Sequence, residues 1–306
     1  MNLAQELFGV RFQNPVLLAS GTCGYGRELD SVLDLDALGG IVIKAVTAKP
    51  RQGNAAPRVA EFAGGMINSI GLANAGVDAV RTEKLPWLAR RLGSAHVIVN
   101  VAGTSVSEFA SVVRVLDDPA LRFAAFELNV SCPNVERGGA LFATREDLLA
   151  EVVSACRAAT GRPLIVKLAP NVPDIGHMSE IAVANGADAI SLINTFPGLL
   201  FDVETRTPVL GNGTGGVSGP AVLPMGVHAV WQARRRVTVP ILGVGGIRTG
   251  RDVVQYLLAG ASLVQIGTAS FADPRAAQRV LSGLKRYGAA HGVADVRELI
   301  AAGRLD

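Results

Sequence analysis

The stretch ELNVSCPNV, Glu127 to Val135, sets a cysteine just past an apolar run and directly before a proline. Only the thiolate acts as base or nucleophile, and an ordinary thiol pKa near ~8.5 keeps that form within reach of neutral solution. Cys132, in a turn made by Pro133 at the end of a strand, is therefore the candidate for proton-transfer chemistry. A free cysteine is more often a small buried hydrophobe, which is the expectation for Cys156 on a helix. Cys23 in SGTCGYG also ends a strand, and a packing role is expected for it. Lys44 and Lys167 (within LIVKLAP) stand in apolar strands, where an ammonium is costly unless it meets an anion or a polar ligand. A structural ion pair is the plainer alternative for either lysine. Asn100, Asn129 and Asn194 end three further strands; asparagine is poor in strands but reads a heteroaromatic ring or amide with both donor and acceptor.

Two glycine-bearing turns complete the set. GVGGIRTGRDV and VQIGTAS follow the last two predicted strands, and backbone N–H groups at such turns hold phosphate in barrel enzymes. Gly245, Gly246, Gly267 and Thr268 are the candidates, against the alternative that the glycines only relieve crowding at corners. No HExxH spacing and no Ser/His/Asp order appears, and His96, His177, His228 and His291 are scattered, so no metal site is expected.

The elements that would position these groups alternate along the chain. Short Val/Ile-rich runs predict eight strands at Pro15–Ser20, Ile41–Thr47, His96–Val101, Ala125–Ser131, Leu164–Leu168, Ala189–Thr195, Ile241–Gly245 and Leu263–Gly267. Helical periods predict helices over Ser107–Leu116, Arg145–Ala159, Ile175–Asn185, Ala221–Arg236, Arg251–Ala259 and Pro274–Tyr287. Thr144 before acidic residues, and Asp273-Pro274 as N-cap and first residue, announce two of them, while Gly186 and Gly260 stand where helices should stop. The run Arg234 to Arg236 reads as a solvated last turn. Eight βα units predict a closed (β/α)8 TIM barrel over residues 1–306, one domain, in preference to a doubly wound open sheet. Lys49–Asn74 is expected as a long loop, and FDVETRTPVL as a small hairpin, both inserted at the C-terminal face of the strands.

Bulk properties narrow the function classes. The chain has 306 residues, 35 glycines and a formal charge of +3, with no concentrated basic face to suggest nucleic acid. Three cysteines without CxxC spacing predict a reducing, cytoplasmic setting rather than a disulfide framework. No apolar run approaches the ~20 residues of a membrane span, and the first residues lack the pattern of a secretory leader.

LASGTCGYG, IKAVT, NSIGLAN, NVSCPN, IVKLAP, INTF, GGVSGPA, GVGGI and QIGTAS, in this order from about residue 14 to residue 270, resemble dihydroorotate dehydrogenase. A cysteine base resembles the class 1 enzymes, and ASGTxGYG with GGxSGPA the NAD-linked 1B type. The resemblance implies one FMN per chain, its phosphate on Gly245, Gly246, Gly267 and Thr268 with Gly219 nearby. Ser20, Lys44, Ala45, Asn100, Asn129, Lys167 and Ile193 would line the flavin. Orotate or dihydroorotate would meet Lys44, the loop Asn68, Ser69, Ile70, Gly71 and Leu72, and Asn129, Asn194 and Thr195. Cys132 would take a proton from C5 of dihydroorotate as hydride passes from C6 to N5 of the flavin. The resemblance further implies a homodimer and a second subunit that carries FAD and a 2Fe–2S cluster and passes electrons to NAD. Ala73 and Ala75 stand where the family more often has Gln and Pro. The alternatives are a fumarate-linked 1A oxidase, another pyrimidine-reducing flavin barrel, and a silent barrel serving as scaffold.

Overall fold

The computed structural model describes residues 1–130, 142 and 144–304. Its centre is a closed barrel of eight parallel strands: β1 (Val16–Leu18), β2 (Gly40–Val42), β3 (His96–Val101), β4 (Ala125–Asn129), β5 (Leu164–Lys167), β6 (Ala189–Leu192), β7 (Ile241–Val244) and β8 (Leu263–Ile266). Each strand pairs with the next in chain order, and β8 closes on β1 through Val264↔Val16 and Ile266↔Leu18. The expected barrel is what forms.

Side chains alternate between the two faces of a strand. Inward-pointing residues therefore stack in layers. The lowest layer is apolar, built from Leu17, Val42, Ile98, Ala125, Ile165, Ala189, Leu242 and Leu263. An antiparallel hairpin, Gln5–Leu7 with Val10–Phe12, closes this end, and Phe12 is fully buried against the layer. Two residues further along the same strands, polar groups take over.

The outer ring of helices packs by the usual apolar stripe. In α2 (Val106–Leu116), Phe109, Val112, Val113 and Leu116 are buried at i, i+3, i+4 and i+7, and the Ser105 hydroxyl accepts the Glu108 N–H at the start. The other long helices are α3 (Glu146–Arg157), α4 (Ile175–Ala184), α5 (Leu223–Arg234), α6 (Gly250–Ala259) and α7 (Ala276–Ala290); α1 (Leu85–Arg91) continues an irregular helical segment from Gly76. Among the described residues no helix is long and apolar enough to cross a membrane.

Several local expectations need correction. Lys49–Asn74 is not a simple loop: Val59–Phe62 and Gly65–Asn68 form a hairpin. Its second strand pairs with Gly215–Ser218, which pairs in turn with Phe196–Gly198, giving a four-stranded antiparallel sheet beside the mouth. The FDVETRTPVL hairpin does form, with Phe201–Asp202 against Thr207–Pro208. Helix α7 starts at Ala276 because Asp273 accepts the Arg275 N–H instead of capping the first turn. Arg145, not Thr144, precedes α3, and its guanidinium pairs with Asp147. Arg235 and Arg236 are exposed as expected of a solvated last turn, whereas Arg234 is half-buried and donates to the carbonyl of Val237 at 2.6 Å and to that of Val239. Lys44 and Asn194 lie two residues beyond the paired ends of β2 and β6.

Candidate active site

Above the apolar layer, the barrel interior holds Glu127 of β4, Asn100 of β3, Lys167 of β5, Ser191 of β6 and Gln265 of β8. All five are buried. A buried carboxylate left unpaired costs several kcal/mol, and here donors converge on it. Asn100 Nδ2 donates to Glu127 Oε1 at 2.7 Å, and Gln265 Nε2 donates to Oε2 at 2.6 Å. Lys167 Nζ stands 3.9 Å from Oε1. Gln265 Nε2 also reaches Ser191 Oγ at 3.3 Å. Asn100 Oδ1 and Gln265 Oε1 have no partner among the described residues.

A cavity of about 440 Å3 opens over this layer, a volume ordinary for a small-molecule site. Its lining brings together Ser20, Lys44, Ala45, Asn129, Lys167, Ile193, Gly219, Gly245, Gly246, Gly267 and Thr268 from the first group of expected residues. It also takes in Asn68, Ile70, Gly71, Leu72, Asn194 and Thr195. Two expected residues lie outside it. Asn100 is held beneath by Glu127, and Ser69 is fully buried, its Oγ accepting from Asn54 Nδ2 at 2.7 Å. Cys132, Pro133 and Asn134 lie outside the described residues.

The turns after β7 and β8 form one side of the cavity. Gly245 and Gly246 have φ of +123° and +73°, and a Cβ on Gly246 would stand 2.6 Å from the Leu223 nitrogen. Backbone in that region is strained for any other residue. Both glycines line the cavity, and without side chains they let a ligand approach the main chain, whose N–H groups hold anions at such turns. Tyr256, fully buried on α6, braces the turn from behind: its hydroxyl reaches the Val244 carbonyl at 3.0 Å and the Gly245 carbonyl at 2.8 Å. Thr268 donates to Ser218 Oγ at 2.8 Å, tying the β8 turn to the inserted sheet.

That sheet makes an adjoining wall. Asn68 Nδ2 donates to the Gly216 carbonyl at 3.2 Å, and the close approach of the sheet to Thr195 leaves no room for a side chain on Gly216. The following loop turns sharply, with Gly71 at φ +72° and Leu72 at φ +56°. Asn74 secures it: its Nδ2 donates to the Leu72 carbonyl at 2.7 Å and to Thr47 Oγ1 at 2.8 Å, while its Oδ1 accepts the Gly76 N–H at 2.8 Å.

Two cysteines can be placed. Cys23 is buried, its thiol donating toward the Val42 carbonyl at 3.2 Å, and Cys156 is buried on α3. Burial pushes each thiol up to about 12, which makes both poor nucleophiles. Both behave as expected of packing residues. Glu127, Gln265, Ser191 and Asn74 were not anticipated as site residues. For Glu127 a signal existed: it lies two residues before Asn129, so both must face the interior.

A family model described as dihydroorotate dehydrogenase matches residues 2–287. A protein of Geotalea daltonii named dihydroorotate dehydrogenase B (NAD(+)), catalytic subunit, is 46% identical over 301 residues, covering 98% of both chains. Proteins of the same name from Pelobacter propionicus and Geobacter sulfurreducens are each 47% identical over 301 residues, again with 98% of both chains covered. Among solved structures, a crystal structure of DHODH from Eimeria tenella in complex with ferulenol superposes with a TM-score of 0.80 at 23% identity. The match covers 98% of this chain and 88% of that one, and it speaks for the fold.

Proposed function

The chain belongs to the dihydroorotate dehydrogenase family of oxidoreductases, and on that premise we propose that it oxidises dihydroorotate to orotate as the catalytic half of an NAD-linked enzyme. Convergence carries the proposal: Lys44, Asn129, Lys167 and Asn194 meet in one cavity beside the Gly245–Gly246 and Gly267–Thr268 turns. The residues present fit a phosphorylated flavin. The turns after β7 and β8 line the cavity with glycines, Gly245 and Gly246 in backbone conformations that favour glycine, and unpartnered buried acceptors lie on Asn100 and Gln265.

FMN, when bound, supplies the hydride acceptor. The chain's own residues do the rest. Gly245, Gly246, Gly267 and Thr268, with Gly219 nearby, would hold the phosphate; Ser20, Ala45 and Ile193 would define the ring site, with Asn100 in the layer beneath it. Lys167 would place positive charge where negative charge develops on reduction. Lys44, Asn129, Asn194, Thr195 and the loop from Asn68 through Ser69, Ile70 and Gly71 to Leu72 would hold the pyrimidine and its carboxylate. Ser69 serves from behind, fixing the loop through Asn54. Cys132 would remove the C5 proton, a role that requires its thiol within hydrogen-bond reach of that proton and ionisable near the working pH.

We assign residues 1–306 to one FMN-binding barrel domain of a cytoplasmic homodimer. The relatives' name, with NAD(+) and catalytic subunit in it, supports a partner subunit; on this reading that partner carries FAD and a 2Fe–2S cluster, for which the three cysteines of this chain are too few. The test is an anaerobic titration of the purified yellow protein with dihydroorotate while the flavin band is followed. Bleaching is expected. A yellow protein that stays oxidised with dihydroorotate but bleaches with another dihydropyrimidine would replace the substrate; a chain that takes up no FMN would overturn the proposal.

A further inference from the structure

Resting on that reading of the site, the geometry points to Glu127 as a positioning residue that works through Lys167 to set how readily the bound flavin is reduced. Glu127 is fully buried at the centre of the barrel, and Lys167, 4% exposed, lines the cavity above it. The Lys167 ammonium, 3.9 Å from Glu127 Oε1, is the sole cation within ion-pairing distance of that carboxylate among the described residues. Asn100 and Gln265 fix the carboxylate from two other strands, at 2.7 Å and 2.6 Å, so its place does not depend on the lysine. A flavin held in the cavity would therefore meet the Lys167 ammonium together with its counter-charge, not Lys167 alone.

This arrangement has a purpose beyond holding the barrel together. Asn129 and Lys167 are register partners on β4 and β5, and Glu127 is two residues before Asn129 on the same face of β4, one layer below the cavity. In a water-poor interior a full charge acts well beyond contact distance, so it would be felt by a ring bound in that cavity. An unopposed lysine would favour the reduced, more negative flavin; Glu127 opposes that bias and keeps reoxidation favourable. An apolar residue in its place would keep the packing and lose this balance.

A charge cycle tests it, using FMN-loaded full-length protein and dye-equilibrated redox titration without substrate. Glu127→Gln keeps the shape and removes the charge; a flip of the Gln265 amide would let its unpartnered Oε1 accept from the new amide. Lys167→Met removes the other charge. The expected order of potentials is Glu127→Gln highest, then wild type and the double variant together, then Lys167→Met lowest. Each single step should change the reduced-to-oxidised ratio at least ~10-fold, about 30 mV for a two-electron couple. A purely structural role would give no such crossing. A wild-type potential in yellow Glu127→Gln protein overturns the inference, as does a double variant that tracks Lys167→Met. Should Glu127→Gln not fold, the double variant against Lys167→Met decides alone, equality being the overturning result. The pairing fails separately from the proposed substrate, because no dihydroorotate enters the measurement.

Discussion

Asn194 donates from Nδ2 to Asn129 Oδ1 at 3.2 Å, joining two strand ends that are not neighbours in the barrel. The β5 strand with Lys167 runs between them. Asn194 Oδ1 also accepts the Thr195 N–H at 2.8 Å, so its amide is oriented before any ligand arrives. Preorganised polar groups lower the cost of binding. Asn194→Ala should weaken orotate binding about 10- to 100-fold, the ~1.5–3 kcal/mol expected for hydrogen bonds to a charged ligand. FMN content should stay at the wild-type level. Orotate-induced shifts of the flavin band give the affinity, and unchanged binding would remove Asn194 from the pyrimidine site.

Gly246 gives a second prediction. At φ +73°, with a backbone nitrogen 2.6 Å from where a Cβ would be, Gly246→Ala must both strain the turn and displace Leu223. A loss of about 1–3 kcal/mol in stability is expected, with FMN affinity down at least ~10-fold. Thermal melting and recovery of flavin fluorescence on dilution measure the two effects. Full retention of FMN would argue that the turn does not carry the phosphate.

The cysteines should separate cleanly. Burial holds the Cys23 and Cys156 thiols near 12, far above any working pH. Iodoacetamide at pH 8 should therefore modify Cys132 and spare the other two until the protein is unfolded, as peptide mass spectrometry would show. Cys132→Ser should slow flavin bleaching by dihydroorotate at least ~100-fold, the lower end of what general base catalysis contributes. The wild-type rate should rise with pH as the thiol ionises. A flat profile, or near-normal rates in the serine variant, would pass the base role to another group.

Asp36 sets a pH dependence of stability. Partial burial would raise its carboxyl, yet three backbone N–H groups, from Ala95, Ser94 and Gly93 at 2.8 to 3.0 Å, outweigh that and hold it below the usual range. A group depressed on folding stabilises above its unfolded value of ~3.9 and loses that contribution as pH falls through its folded value. Asp36→Ala should melt lower than wild type at pH 7, and the gap should shrink below pH ~4. An unchanging gap would mean the carboxylate charge is not involved.

Which of these features could be read from sequence follows from how far apart the partners are. The barrel strands declare themselves by local apolar runs bounded by turns, and Lys167 and Asn129 stand out because each interrupts one. The inserted sheet does not, because Asn68 finds its partner Gly216 across 148 residues and neither segment is apolar enough to be read as a strand alone. Gln265 and Ser191 pass unnoticed for a similar reason: a single polar residue in a strand gains meaning only when other strands aim polar groups at the same point. Asp273 misleads in the opposite sense, since its local chemistry suits an N-cap and the chain uses it one turn earlier.

Phe12 and its hairpin stopper one end of the barrel, which makes the interior a cul-de-sac. A small molecule bound over Lys167 must therefore leave by the mouth through which it entered.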